Sequence, residues 1–143
     1  MIELQHRLPE PAVLRDYLRQ NPNGFWSDPT FQLIRLAIRH QLNLEQAGLC
    51  VYCECLLNKE DGHVEHIKSK DVYPQLTFAY NNVAHSCDGP NHCGHLKQNH
   101  VLPVEPRSGC NRFFALMAQD GRLVPIEAFI EGIPFRWVLR LCM

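Results

Sequence analysis

Residues 50–66, CVYCECLLNKEDGHVEH, combine three cysteines, two histidines and four acidic residues in 17 positions. Such crowding raises the question of whether these side chains bind one metal ion, two or none. Cys50 and Cys53 have a two-residue spacing that is common in zinc sites. Cys87 and Cys93 form a second, wider pair, and four thiolates suit tetrahedral zinc in a closed structural site. We therefore predict a structural zinc bound by these four cysteines.

Other cysteines and histidines of the chain are weaker candidates for this zinc. Cys55 could substitute in the first pair, and His85 or His92 in the second. Gly, Pro and Asn around the second pair make a poor apolar core, which argues against buried cysteines without a ligand. Cys110 and Cys142 stand alone, and we interpret them as ordinary apolar residues.

The HVEH segment, 63–66, does not fit a structural zinc. Side chains alternate along a strand, so His63 and Glu65 share one face and His66 lies on the other. A carboxylate suits a hard cation such as Mg²⁺, whereas an imidazole with a pKa near neutrality suits a general base. Polar candidates for the same centre follow later in the chain: Asn82, His95, Lys97 and Asn99.

The chain divides into three regions by its sequence pattern. Residues 1–48 predict helices, one opened at Pro11 and a second capped by Asp28. Residues 49–100 carry the metal-ligand candidates, and the Asp61–Gly62 turn predicts a hairpin between 55–57 and 63–69. Residues 101–143 form an extension with a second turn at 120–121. The apolar stripe of the second helix comprises Phe31, Ile34, Ile38 and Leu42.

Composition limits the possible environments and partners. The 143 residues include 14 basic and 15 acidic side chains, so nucleic-acid binding would need a local basic patch. No stretch is long and apolar enough to span a bilayer, and the start lacks the apolar core of a signal peptide. We expect a cytoplasmic protein without a membrane partner. Seven cysteines and eight histidines then indicate metal sites more than disulfides.

These motifs together resemble a nuclease family. Residues 50–99 resemble the HNH, or ββα-metal, nucleases in four features. These are the C-x2-C pair, the strand with an acidic residue before His, the Asn-apolar dipeptide leading to Cys, and the helix that begins at a Cys. Most of the chain looks like the small HNH subunit of Septu anti-phage systems, which is also found with some retrons. The segments that carry this resemblance are LEQAGLCVYCE, VEHIKSK, YNNVAHSC, CGHLK and LPVEPRSGCNRFFALMAQDGRLVP. The resemblance implies an α+β fold with a ββα-metal core, and an ABC-type ATPase as partner.

The resemblance also implies roles for single residues. His66 would be the general base that activates water, and Glu65 would hold Mg²⁺ or another divalent ion. Asn82 would fix the strand that carries the base. Lys97 corresponds to a basic residue of the family and would face phosphate or remain a solvated charge, as would Lys68 and Lys70.

One motif position departs from the family pattern. Many HNH proteins have Asn or His after the last zinc cysteine, where this chain has Gly94, which cannot coordinate a metal. His95 is the first substitute as metal ligand, Asn99 the second and His63 the third.

The sequence therefore predicts a metal-dependent DNA endonuclease, and the resemblance implies that it acts in anti-phage defence under the control of an ABC-type ATPase. Retron components are further expected partners. The alternative is a zinc-stabilised adaptor that binds nucleic acid or the ATPase without catalysis. A base-reading zinc finger fits less well, because CGHLKQNH is short and lacks arginine. The apolar residues of the C-terminal tail either fold back on the core or dock a partner: Phe135, Trp137, Val138, Leu139 and Leu141.

Overall fold

Helices precede short antiparallel strands along the chain, which the computed structural model describes over residues 1–89, 93–119 and 123–126. The α+β class predicted from the sequence is confirmed, and β1, β2 and α3 follow one another in the order of a ββα unit. In chain order the elements are α1 (Ala12–Gln20), α2 (Gln32–Glu45), β1 (His63–His66), β2 (Val83–Ser86), α3 (Cys93–Lys97), β3 (Phe114–Leu116) and β4 (Leu123–Pro125).

Helix α2 packs on β2 through the predicted apolar stripe, and α1 packs on α2. Asp28 Oδ1 accepts a hydrogen bond from Thr30 N at 2.8 Å, so it caps the 3₁₀ turn (Pro29–Phe31) that leads into α2. Phe31, Ile38 and Leu42 are fully buried, and Ile34 packs beside them. The same cluster contains Leu14 and Tyr17 of α1 and Val83 of β2. Burial of this stripe fixes α2 against the sheet that carries the candidate site.

The strand β1 pairs with β2, so the predicted hairpin between 55–57 and 63–69 is wrong. The register places His63 opposite Ser86 and His66 opposite Val83. Leu56 instead forms an isolated bridge with Leu49, and Leu57 N donates to Gly48 O at 2.7 Å. The chain around the first cysteine pair therefore closes on itself, and the backbone groups of 56–57 are already paired when β1 begins.

The Asp61–Gly62 turn is present, although it leads into a different strand pair. Gly62 has a φ of +67°, and a Cβ there would lie 2.3 Å from the carbonyl oxygen of Ser86. Only glycine fits this close approach of the turn to β2.

A second apolar cluster surrounds the cysteines and joins the N-terminus and residues 102–110 to Ala84 of β2 and to Ile67 after β1. Ile2 N donates to Val51 O at 2.9 Å, which fixes the N-terminus beside the first cysteine pair. Cys110 is buried in this cluster, as predicted. Its buried apolar members also include Met1, Leu4, Val51, Tyr52, Leu57, Ile67, Ala84, Leu102 and Val104.

In the C-terminal extension, β3 and β4 pair as antiparallel strands on either side of the predicted second turn. Phe114 pairs with Pro125 and Leu116 with Leu123. The turn residues 120–122 lie outside the described residues, as do 127–143 with Cys142 and the apolar tail that includes Trp137. Within the described part of the chain, no helix has the length and apolarity needed to cross a bilayer.

Candidate metal centre and active site

The four predicted zinc cysteines lie together. Their sulfur atoms are all within 4.8 Å of one another. Cys50 Sγ lies 3.7 Å from Cys93 Sγ, and Cys53 Sγ lies 3.9 Å from Cys87 Sγ. A tetrahedron of thiolates at the usual Zn–S bond length has edges of about 3.8 Å. The spacing therefore fits tetrahedral zinc.

Local backbone geometry presents the first cysteine pair to the second. Cys50 N donates to Cys55 O at 2.9 Å, and Glu54 N donates to Cys50 O at 3.0 Å. Glu54 takes a positive φ of 59°, which closes this tight loop. Cys87 N donates to Cys50 Sγ at 3.4 Å, so a backbone amide already faces one sulfur.

The protonation of the cysteines fits a metal-binding role. The hydrogen bond from Cys93 lowers the pKa of Cys50 to about 4, whereas burial raises the pKa of Cys53 and of Cys87. Without a cation, the crowded sulfurs thus favour one thiolate beside protonated thiols. Zn²⁺ would be held by all four and would favour their deprotonated forms.

The alternative zinc ligands do not lie in this cluster. Cys55 is exposed and is not one of the four clustered sulfurs. His85 is buried, with Nε2 donating to Asp61 O at 2.7 Å and Nδ1 facing the Asn43 amide at 3.2 Å. His92 lies outside the described residues.

His66 is held so that one ring nitrogen remains available as a base. Nε2 donates to the carbonyl oxygen of Thr77 at 2.9 Å, which leaves Nδ1 as the acceptor in the neutral ring. Trp26 packs edge-on against the imidazole, with ring centroids 4.4 Å apart. Burial lowers the pKa of His66 below its ordinary value, so the neutral ring predominates at neutral pH.

Asn82 clamps the chain that follows β1. Its Nδ2 donates to Lys68 O at 2.9 Å, and its Oδ1 accepts from Lys68 N at 3.0 Å. The Asn82 carbonyl oxygen also accepts from Ile67 N at 2.8 Å. These bonds fix the backbone directly after His66, while any part of Asn82 in catalysis stays a prediction.

Glu65 lies between two positively charged or donating groups. Its Oε1 is 3.0 Å from Lys97 Nζ, and its Oε2 is 3.2 Å from His63 Nε2. Burial raises the pKa of Glu65, but the hydrogen bond from His63 and the charge of Lys97 outweigh it, so the pKa lies below its usual value. Glu65 is therefore an ionised, paired carboxylate.

Lys97 differs from both sequence-based expectations. Its side chain has 0% exposure and pairs with Glu65, so it is neither a solvated charge nor a side chain facing phosphate. The helical spacing from Cys93 to Lys97 turns this residue inward, because positions four apart lie on the same helix face.

Gly94 is the point of closest approach between α3 and β1. A Cβ at this position would lie 2.4 Å from Glu65 Oε2 and 3.0 Å from His63 Nε2. The missing side chain of the HNH pattern thus has a physical reason: the carboxylate of Glu65 and the ring of His63 occupy the space where it would project.

Asp88, which the sequence analysis did not single out, lies next to both His95 and His63. His95 Nε2 lies 2.7 Å from Asp88 Oδ1, and His63 Nδ1 lies 3.6 Å from the same oxygen. Ligand atoms of the three residues all lie within 4.8 Å of one another. An acidic residue directly after the third zinc cysteine was the available signal. Glu65 joins this group through His63.

An open depression of about 320 Å³ brings the polar candidates to one surface. Lys68 pairs with Glu105 at 3.7 Å, whereas Lys70 lies at the depression beside Asp71. Asn99 accepts a hydrogen bond from the Ser69 hydroxyl. The residues that line the depression are Glu65, His66, Ser69, Lys70, Asp71, Gly94, His95, Gln98 and Asn99.

Comparisons with known proteins agree with the motifs. The chain is 35% identical over 137 residues to "Retron Vc95 putative HNH endonuclease" of Vibrio cholerae serotype O1 biovar El Tor, an alignment that covers 87% of this chain. It is 36% identical over 99 residues to "Septu protein PtuB" of Bacillus thuringiensis, and this alignment covers 68% of the chain. No family model matches the sequence.

The chain belongs to the HNH nuclease family of the Septu and retron type. It spans 66% of the length of the Vibrio relative and 35% of the Bacillus relative.

Proposed function

We propose that this chain is a metal-dependent HNH endonuclease that hydrolyses phosphodiester bonds in DNA. The observation that carries the proposal is His66: a buried neutral imidazole, fixed through Nε2 by Thr77 O, at the edge of an open depression. Nδ1 of His66 would take a proton from the attacking water. A divalent ion bound beside this residue would neutralise phosphate charge and stabilise the leaving 3′ oxygen.

The support around His66 gives this base a fixed position. Asn82 holds the backbone after β1, and the four-cysteine cluster, which zinc would close, holds α3 beside the strand. A general base contributes to rate only when its geometry is maintained, so these structural contacts serve the proposed chemistry.

We further propose that the nuclease acts in anti-phage defence as the effector of a complex gated by an ABC-type ATPase. The similarity to a Septu protein and to a retron nuclease supports this assignment. The near balance of 14 basic and 15 acidic residues agrees with a nuclease that obtains part of its DNA affinity from a larger partner.

A nicking assay with supercoiled plasmid, divalent ion and the assembled complex tests the nuclease. His66→Ala should reduce cleavage by about 10²- to 10⁴-fold, the usual contribution of a general base. His40→Ala is the matched control. His40 Nε2 lies 3.2 Å from Glu60 Oε1, and His40 does not line the depression. Undiminished cleavage by His66→Ala would refute the assignment.

A zinc-stabilised adaptor without catalysis is the second candidate. It is favoured by the pairing of Glu65 with Lys97 at 3.0 Å, which neutralises the carboxylate expected to bind the ion. The adaptor predicts DNA or ATPase binding by the wild type without divalent-dependent nicking in the same assay.

A further inference from the structure

The cluster of His63, Asp88 and His95 provides three metal-ligand side chains that the HNH motif does not specify. Asp88 Oδ1 lies 2.7 Å from His95 Nε2 and 3.6 Å from His63 Nδ1. Donor atoms around an ion at about 2.1 Å are about 3 to 3.5 Å apart, so each histidine would move by a few tenths of an ångström relative to Asp88. The ligand atoms of all three residues lie within 4.8 Å of one another.

The tautomer of His63 directs its free nitrogen into this cluster. The ionised carboxylate of Glu65 can only accept at 3.2 Å, so Nε2 of His63 carries the proton. Nδ1 then has a lone pair, is buried and finds no hydrogen-bond partner among the described residues. A carboxylate behind a histidine whose other nitrogen faces a cation is the common outer support of metal-binding histidines.

Glu65 itself is poorly placed to be the principal ligand. Lys97 Nζ, with a fully buried side chain, occupies its Oε1 at 3.0 Å. Its Oε2 is taken by His63 and lies against Gly94. A cation bound directly by Glu65 would have to share these two oxygens with Lys97 and His63.

The two outer ligands leave room for water or phosphate. Asp88 and His95 have 59% and 47% of their side chains exposed, whereas His63 has 27%. His95 also lines the depression next to His66. A site with three protein ligands and an open side matches catalytic metal sites rather than structural ones.

We propose that His63 Nδ1, Asp88 Oδ1 and His95 Nε2 bind a divalent transition-metal ion, and that Glu65 is a positioning residue that orients His63. The proposal rests on the proposed nuclease function, for which this ion would be the reaction's metal. Two imidazoles and one carboxylate favour a first-row transition ion over Mg²⁺, which prefers oxygen ligands.

Titration of Co²⁺ into the zinc-loaded full-length chain tests the site. The wild type should bind one Co²⁺ with d–d absorption and without the sulfur-to-metal band that cysteine ligands would give. Asp88→Asn and His95→Gln should each raise the Kd for Co²⁺ by at least about 100-fold, and Glu65→Gln by about 10- to 100-fold. Excess Mg²⁺ should not displace the bound Co²⁺.

His40→Gln is the matched control, because it removes a partly exposed histidine paired to Glu60 and should leave the Kd unchanged. An unchanged Kd in Asp88→Asn would overturn the proposal. So would a larger loss in Glu65→Gln than in Asp88→Asn, which would make Glu65 the ligand. Because Asp88 and His95 are exposed, their variants should keep the fold, and retained zinc content verifies it.

Binding and cleavage separate this proposal from the proposed function. A chain that binds Co²⁺ through these three residues but never cuts DNA would contradict the nuclease and support the site. A chain that cuts DNA with an ion affinity indifferent to Asp88 would support the nuclease and contradict the site.

Discussion

The four-cysteine cluster and the His63–Asp88–His95 cluster are neighbours along the chain that differ in their exposure to solvent. In the first, Cys50 and Cys93 are fully buried, and four sulfurs would saturate a tetrahedral ion. In the second, two of three ligand candidates are exposed. Closed sites contribute folding free energy, whereas open sites leave a position for a reactant.

The same piece of chain serves both clusters. Cys87 and Asp88 are consecutive, and Cys93 and His95 lie at the start of α3. We call the four cysteines the closed cluster and His63, Asp88 and His95 the open cluster. Metal binding at the closed cluster therefore fixes the backbone that carries two residues of the open cluster. The stability of the cysteine site should therefore set the geometry of the other site, and substitutions should affect the two sites differently.

Loss of a buried cysteine ligand should have the largest effect. Cys50→Ser should remove the zinc and the cooperative thermal unfolding transition, because structural zinc contributes about 10 to 16 kcal/mol of apparent binding free energy in small domains. Zinc content per chain and a circular dichroism melt measure this. Cys55→Ser, an exposed cysteine outside the cluster, is the control and should keep both. Full zinc occupancy in Cys50→Ser would show that Cys50 is not a required zinc ligand.

Loss of the buried positive charge of Lys97 should have the second-largest effect. Lys97→Met leaves the Glu65 carboxylate buried without its partner, which should lower the free energy of unfolding by about 3 to 5 kcal/mol. Urea denaturation of the zinc-loaded chain measures the change. Lys59→Met, at an exposed turn, should change it by less than about 0.5 kcal/mol. The double variant with Glu65→Gln should recover part of the loss; strict additivity would contradict the pairing.

A methyl group at the approach of α3 to β1 should affect the open cluster alone. The Cβ of Gly94→Ala would meet Glu65 Oε2 at 2.4 Å, so Glu65 and His63 must shift, at a cost of about 1 to 3 kcal/mol. We expect weaker Co²⁺ binding with zinc content unchanged. Equal Co²⁺ affinity in wild type and variant would show that the position of Glu65 does not matter to the ion.

A rim lysine should have the smallest effect. Lys70 is partly exposed at the depression, and Lys70→Ala should weaken binding to a short DNA duplex by less than about 1 kcal/mol. The slope of log affinity against log salt should fall by about one if Lys70 contacts a phosphate. Lys59→Ala makes the same charge change away from the depression and serves as the control. Identical slopes for the two variants would remove Lys70 from the interface.

The four cysteines of the closed cluster could be predicted, as could His63 and His95 of the open one, but not Asp88. The cysteine pairs and the stripe of Phe31, Ile38 and Leu42 are readable because ligand spacing and helical periodicity are local properties. Asp88 directly follows Cys87, but this position alone does not reveal its role, which depends on two histidines that come from a strand and a helix. The inward position of Lys97 likewise depends on where α3 packs.

The ligand types, the helices and membership of the HNH family follow from local sequence patterns, because motif spacing and apolar periodicity are properties of the chain alone. The partner of β1 depends on the tertiary structure, since the backbone groups of Leu56 and Leu57 pair with those of Leu49 and Gly48. The tertiary structure also decided that Glu65 faces Lys97 and His63, because Gly94 lets the helix approach the strand closely enough for that contact. Contacts between distant segments depend on packing, which local sequence patterns do not encode.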